Sequence, residues 1–226
     1  MGTKEALIRA IDGYRSDLRR IDDWFVPSSR RSSGDFDHWG AIDFIAHSAF
    51  FAARRIQIIE NPSDVEPLGE FEQALRDVFN RNTDSTWDEV TRTLLASLDG
   101  LKELTSTRDN KDLEALDDDD QPIWRGIAFY GILHSSSHVA QAMVRAGNVV
   151  NAVSLQRRVT DLLKEVNRTD QWIGMVNFNL ARVLALAGDA SAVAVARDAI
   201  SRYPDLGSRA QSDPDFETIR DELAAN

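Results

Sequence analysis

Apolar residues return every three or four positions along almost the whole of this 226-residue chain, and no run alternates apolar with polar residues as a half-buried strand does. That period places the apolar side chains on one face of a helix. Leu7, Ile11, Tyr14, Leu18, Ile21 and Phe25 form the first such stripe, which Pro27 ends. Residues 27–34 are a loop by composition. The same spacing predicts helices over 37–59 and 71–79. A longer one begins at the N-cap residues Asp84-Ser85 and carries Trp87, Val90, Leu94, Leu98, Leu101 and Leu104. Residues 106–121, with the run Asp117 to Asp120, are expected as an exposed loop. A last long helix is predicted over 123–146, stopped by Gly147-Asn148. The fold class is therefore expected to be all-α, with four long helices in residues 1–147 forming a four-helix bundle.

Residues 148–226 form a second region, richer in Ala and Val. A helical pair is predicted over 171–187 and 190–203, with Gly188-Asp189 as its turn. Ala192, Ala196 and Ala199 present a small-residue face that lets two helices approach closely. Together they read as a helix–turn–helix hairpin of the solenoid type.

Charge and composition exclude several functions. The net charge of −11, with Arg and Lys scattered, argues against nucleic acid as a partner. No apolar run reaches the ~18 residues of a membrane span, and residues 1–15 lack the apolar centre of a secretory signal. The chain has no cysteine, so any thiol chemistry must use a thiol carried by a small molecule. A cytoplasmic location is the expectation.

Chemistry concentrates on the histidines. His134 and His138 lie four residues apart in one predicted helix, so their imidazoles leave the same face. His47 closes a Trp39, Asp43, His47 ladder in the helix over 37–59, each step one turn. Three neutral imidazoles suit Zn2+ first, and also Ni2+ or another first-row divalent ion, with one coordination position open. Tyr130 and Gln141, one turn from the ligands, are candidates for contact with a substrate or with the back of a ligand ring. Asp43 is a candidate base or acceptor for a ligand imidazole. His38, before Trp39, is expected as a surface or capping group. Ser135, Ser136 and Ser137 are poor helix formers, so something beyond propensity maintains that turn. No nucleophile turn presents any serine.

These residues resemble a known family. Trp39-Gly-Ala-Ile-Asp43-Phe-Ile-Ala-His47 resembles the second-helix motif of the DinB-like superfamily, where a Trp and an acidic residue precede a ligand histidine. His134-Ser-Ser-Ser-His138-Val-Ala-Gln141 is similar to its fourth-helix motif, and Trp124 to the helix start of the damage-inducible and colibactin-resistance-like branch. Many members have Arg-Gly-Gln where Val139-Ala140-Gln141 stands. The resemblance, over residues 4–147, implies a four-helix bundle, often a homodimer, with His47, His134 and His138 holding a metal. It also implies activation of water or a low-molecular-weight thiol against a small electrophilic or toxic substrate. Such relatives include thiol S-transferases, a mycothiol-dependent maleylpyruvate isomerase and hydrolases. Residues 171–226 resemble a tetratricopeptide hairpin: Leu180, Ala181 and Leu184 match its first helix, and Ser212-Asp213-Pro214-Asp215-Phe216 its capping tail. Such hairpins imply a protein partner. The alternative expectation for the chain is a non-catalytic module that sequesters a ligand or recruits a protein.

Overall fold

The computed structural model describes residues 2–30, 36, 38–117 and 120–224, and among them the chain is all-α. The one β-type pairing among them is an isolated bridge between Leu116 and Pro122. The helices are α1 (Thr3–Leu18), α2 (Ile21–Trp24), α3 (Ala41–Glu60), α4 (Phe71–Asn82), α5 (Trp87–Ser106), α6 (Asn110–Glu114), α7 (Ile123–Gly126), α8 (His134–Arg145), α9 (Val149–Val166), α10 (Asp170–Leu186), α11 (Ala192–Arg202), α12 (Leu206–Ser212) and α13 (Arg220–Ala224).

Helix α3 packs against α5 and α8, and α1 packs against α5 and α9. The predicted stripes face inward: Leu7, Ile11, Tyr14, Leu94, Leu98 and Leu101 are all fully buried in one core. That core does not stop at residue 147. Ala152, Leu155, Val159 and Leu163 of α9, with Trp172 and Val176 of α10, belong to it. The Trp172 indole donates to the Leu163 carbonyl at 2.8 Å and meets Trp124 edge-on at 5.1 Å. A second cluster joins α10 and α11 through Ala181, Ala185, Ala192, Ala196 and Ala199, and Phe216 of the tail closes it against Phe178. The turns after α8 and α10 use Gly147 and Gly188 in the left-handed region, at φ 81° and 66°.

Several local expectations change. The first stripe is interrupted at Arg19-Arg20, so Ile21 and Phe25 are buried from a separate short turn and its exit. Asp84 and Ser85 do not cap α5. Thr86 does: its hydroxyl accepts the Glu89 N–H while Glu89 accepts the Thr86 N–H at 2.8 Å. The stretch 106–121 is not wholly exposed either. It contains α6, whose Leu113 is fully buried, and Asp117 turns inward to an ion pair with buried Arg55. Asp118, Asp119, residues 31–34 of the predicted loop, residue 35, and residue 37 at the predicted start of the next helix lie outside the described residues.

The largest change concerns the predicted helix over 123–146. It is α-helical at both ends but widens to a π-helix over Ile127–Leu133. The His134 N–H bonds the Phe129 carbonyl, five residues back. The wide turn thus ends at the first residue of the His-x3-His pair, the kind of place where such irregularities accompany function.

Candidate metal centre

Two elements aim the three histidines at one point. Gly40, in extended conformation, precedes α3, and its N–H is bonded at 2.8 Å by the Asp43 carboxylate. This fixes the helix start and, one turn on, His47. Trp39 therefore lies before the helix, not on its face; its ring still packs on His47 at 4.9 Å. From the other side, α8 presents His134 and His138 one turn apart, their rings 4.4 Å apart and nearly perpendicular.

One nitrogen from each of the three rings falls within 4.8 Å of the other two. The Nε2 atoms of His47 and His134 are 2.9 Å apart. A tetrahedral ion with Zn–N bonds of ~2.0–2.1 Å separates its nitrogens by ~3.3 Å, so the rings need part only slightly to accept one. His38 is exposed and outside this group.

The surroundings prepare the donors. Trp39, Phe44, Phe51 and Phe129 all lie in ring contact with the imidazoles, Phe44 stacked on His138 at 5.3 Å. Burial among them disfavours the imidazolium. It lowers the pKa of His47 to about 3, helped by the neighbouring His134. It lowers that of His134 to about 4, helped by the charges of Arg182 and Arg209, and pushes His138 well below its ordinary value. All three rings are neutral at pH 7, the form that binds a metal. The chemistry of the donor set and its spacing both fit a divalent ion of the zinc type.

Gln141 supports His138: its Oε1 lies 2.8 Å from the His138 Nδ1. Beyond it, the Gln141 Nε2 donates to Asp215 at 2.6 Å, and Asp215 pairs with Arg182 at 2.7 Å. Arg182 also meets Asp213 at 3.1 Å. Burial raises the Asp215 pKa, and Arg182 opposes that shift. Sequence reasoning found Gln141 by its distance from His138, but missed Asp215, Asp213 and Arg182. The His47 Nδ1, by contrast, is buried with no hydrogen-bond partner among the described residues. Asp43 serves the helix start rather than that nitrogen.

The three serines have structural employment. Ser135 bonds Tyr14 at 2.8 Å, Ser136 donates to the Leu133 carbonyl, and Ser137 donates to Asn179 of α10 at 3.1 Å. They tie the His134–His138 turn to α1, to the π-helix and to α10 in that order.

Tyr130 stands at the outer edge. Its ring lies 6.3 Å from His134, stacks with Phe51 and carries the Arg55 guanidinium 5.9 Å from its centroid. Two cavities meet there. One of about 350 Å³ is lined by Phe51, Arg54, Arg55, Ile58, Leu68 and Tyr130 among others. The other, of about 470 Å³, is lined by Arg55, Arg125, Gly126, Phe129, Tyr130 and Met175 among others. The histidines line neither; Phe51, Phe129 and Tyr130 touch both a cavity and the His134 ring. Comparison with known proteins gives no match to a family model, to a curated protein or to a solved structure.

Proposed function

We propose that this chain is a metal-dependent enzyme of the DinB-like type, a thiol transferase or hydrolase that acts on a small electrophilic or toxic molecule. One observation carries the reading: three neutral imidazoles from two helices converge within 4.8 Å in an aromatic enclosure. His47, His134 and His138 would hold the ion. When bound, such an ion supplies Lewis acidity and draws the pKa of a coordinated water towards ~7.

The remaining residues divide the work. Asp43 sets the start of α3 and so the height of His47. Gln141 orients His138. Tyr130 and Arg55 border both cavities, so a substrate lodged in either meets a phenol, a guanidinium and an aromatic wall. Those volumes suit a small molecule rather than a polymer. Since Phe51, Phe129 and Tyr130 separate the cavities from the imidazoles, turning one of these rings opens the path to the ion. Helices α9 and α10 pack on the bundle core, which favours an intramolecular role for the C-terminal region over recruitment of a protein.

Metal analysis of protein purified without a histidine tag tests the reading, with His134→Ala beside it. Near-stoichiometric zinc or another first-row metal in the parent, lost in the variant, is expected. Equal and negligible metal in both would end the proposal. A panel of electrophiles with and without added thiols then separates transferase from hydrolase.

A further inference from the structure

The bonds behind His138 admit only one polarity. Arg182 has donors and no acceptor, so the Asp215 carboxylate that pairs with it at 2.7 Å accepts. Asp215, an acceptor toward Gln141 as well, takes the amide N–H2 at 2.6 Å. The Gln141 oxygen must then face the other way, toward His138 at 2.8 Å. A carbonyl oxygen accepts, so the His138 Nδ1 carries the ring proton. Its Nε2 is left with a lone pair. That is the tautomer a metal needs from this ring, and it is dictated from Arg182 and Asp215, which belong to residues 148–226.

We propose that Asp215, anchored by Arg182, is a positioning residue for the metal ligand His138, acting through Gln141, so that the C-terminal tail forms part of the metal centre. The claim rests on the proposed metal site for its affinity arm alone. The tail is well placed for it. Asp213 begins the turn Pro214–Ile219 by accepting the Asp215 N–H at 3.0 Å and also meets Arg182 at 3.1 Å, so both acids share one guanidinium. Phe216, next in sequence, is fully buried against Phe178 of α10. A second tie holds the same ligand turn, since Ser137 donates to Asn179 at 3.1 Å. The residues on either side of the His138 position are thus gripped from α10 and the tail. Coupling of this kind is reciprocal: whatever loosens the tail weakens the metal, and the metal tightens the tail.

The test uses the full chain and the variant Asp215→Ala. Arg182 and Gln141 share one Asp215 oxygen, and alanine removes it, which releases the Gln141 amide to flip and the imidazole to change tautomer. Long-range proton–nitrogen spectra of protein labelled with 15N-histidine read the His138 tautomer in the metal-free state, with His138→Ala assigning the signals. Competition with a chromogenic chelator reads Zn2+ affinity. The expected result is a single Nδ1–H tautomer in the parent, lost or mixed in Asp215→Ala, with Zn2+ bound ~10-fold more weakly or worse, as for other partners behind a ligand histidine. A parent ring protonated on Nε2, or a variant unchanged in both tautomer and Zn2+ affinity, overturns the proposal. Should Asp215→Ala fail to fold by circular dichroism, Gln141→Leu is read in the same two measurements with the same expectations. A parent that binds no Zn2+ but shows the expected tautomers sinks the metal reading and leaves the positioning role standing.

Discussion

The Nε2 atoms of His47 and His134 stand 2.9 Å apart although 87 positions separate the two residues in the chain. At that distance one nitrogen donates and the other accepts, so the pair shares a single proton in the gap. Both rings are nonetheless neutral at pH 7, because burial holds their pKa values at about 3 and about 4. A divalent ion bound there would therefore displace no net proton from them; the shared one would move to an Nδ1.

Three ordinary imidazoles, each about three-quarters protonated at pH 6, release ~2 protons on binding a metal. Here the expected release at pH 6 is near zero. Calorimetric titration of Zn2+ in buffers of different ionisation enthalpy measures it. A release of about two protons would show that the rings are not held neutral by their surroundings.

Acid should destabilise the metal-free protein earlier than carboxylates alone would. In the unfolded chain a histidine takes up a proton below pH ~6.5. In the folded chain His134 declines it until about pH 4 and His47 until about pH 3, while His138 is pushed well below its ordinary value. Between those limits the unfolded state binds more protons, so stability falls as pH falls and is fully present above pH 6.5. From pH 7 to pH 5 the expected loss is about 2 kcal/mol for each ring. Urea midpoints across that range read it, and a midpoint that does not move between pH 7 and pH 5.5 would rule it out.

The parts that sequence made legible share one property: they depend on spacing within a single helix. Leu94, Leu98 and Leu101 fall on one face and are buried, and His134 and His138 share a face and meet. What it left illegible depends on contacts between distant segments or on fine backbone geometry. Trp39 fits the ladder to His47 by number, yet Gly40 takes the extended conformation at the helix entrance and leaves Trp39 outside. Nothing in Ile127–Leu133 signals a π-turn, because no propensity distinguishes it from an α-turn. Asp117 heads a run of four acids that looks solvated, but buried Arg55 draws it inward. Asp215 lies 74 positions from Gln141, beyond any periodicity.

Gly126 invites a substitution whose sign is diagnostic. Alanine in a helix is ordinarily better than glycine by ~1 kcal/mol. A Cβ at Gly126, however, would lie 2.0 Å from the Arg55 guanidinium. Arg55 cannot swing into solvent without abandoning Asp117, and breaking a buried ion pair costs about 3–5 kcal/mol. The second effect wins. Gly126→Ala is expected to lose about 2–4 kcal/mol in urea unfolding. A neutral or stabilised variant would mean that Arg55 relocates freely.

Shortening the chain after residue 147 tests how far the core extends. The cut removes α9, whose Leu155, Val159 and Leu163 are fully buried against α1 and α8, and also Trp172, buried against Trp124. Burial of each such side chain contributes about 1.5–3 kcal/mol, so the four together reach ~6–12 kcal/mol. The whole net stability of a domain is about 5–15 kcal/mol. Exposing the matching faces of α1, α8 and Trp124 adds an apolar surface that favours aggregation. The 1–147 fragment is therefore expected to lack a cooperative urea transition and to self-associate, while the full chain unfolds in one step. Circular dichroism across a urea series, with light scattering, decides between them. A soluble fragment that unfolds sharply would show that α9 and α10 rest on the core without completing it.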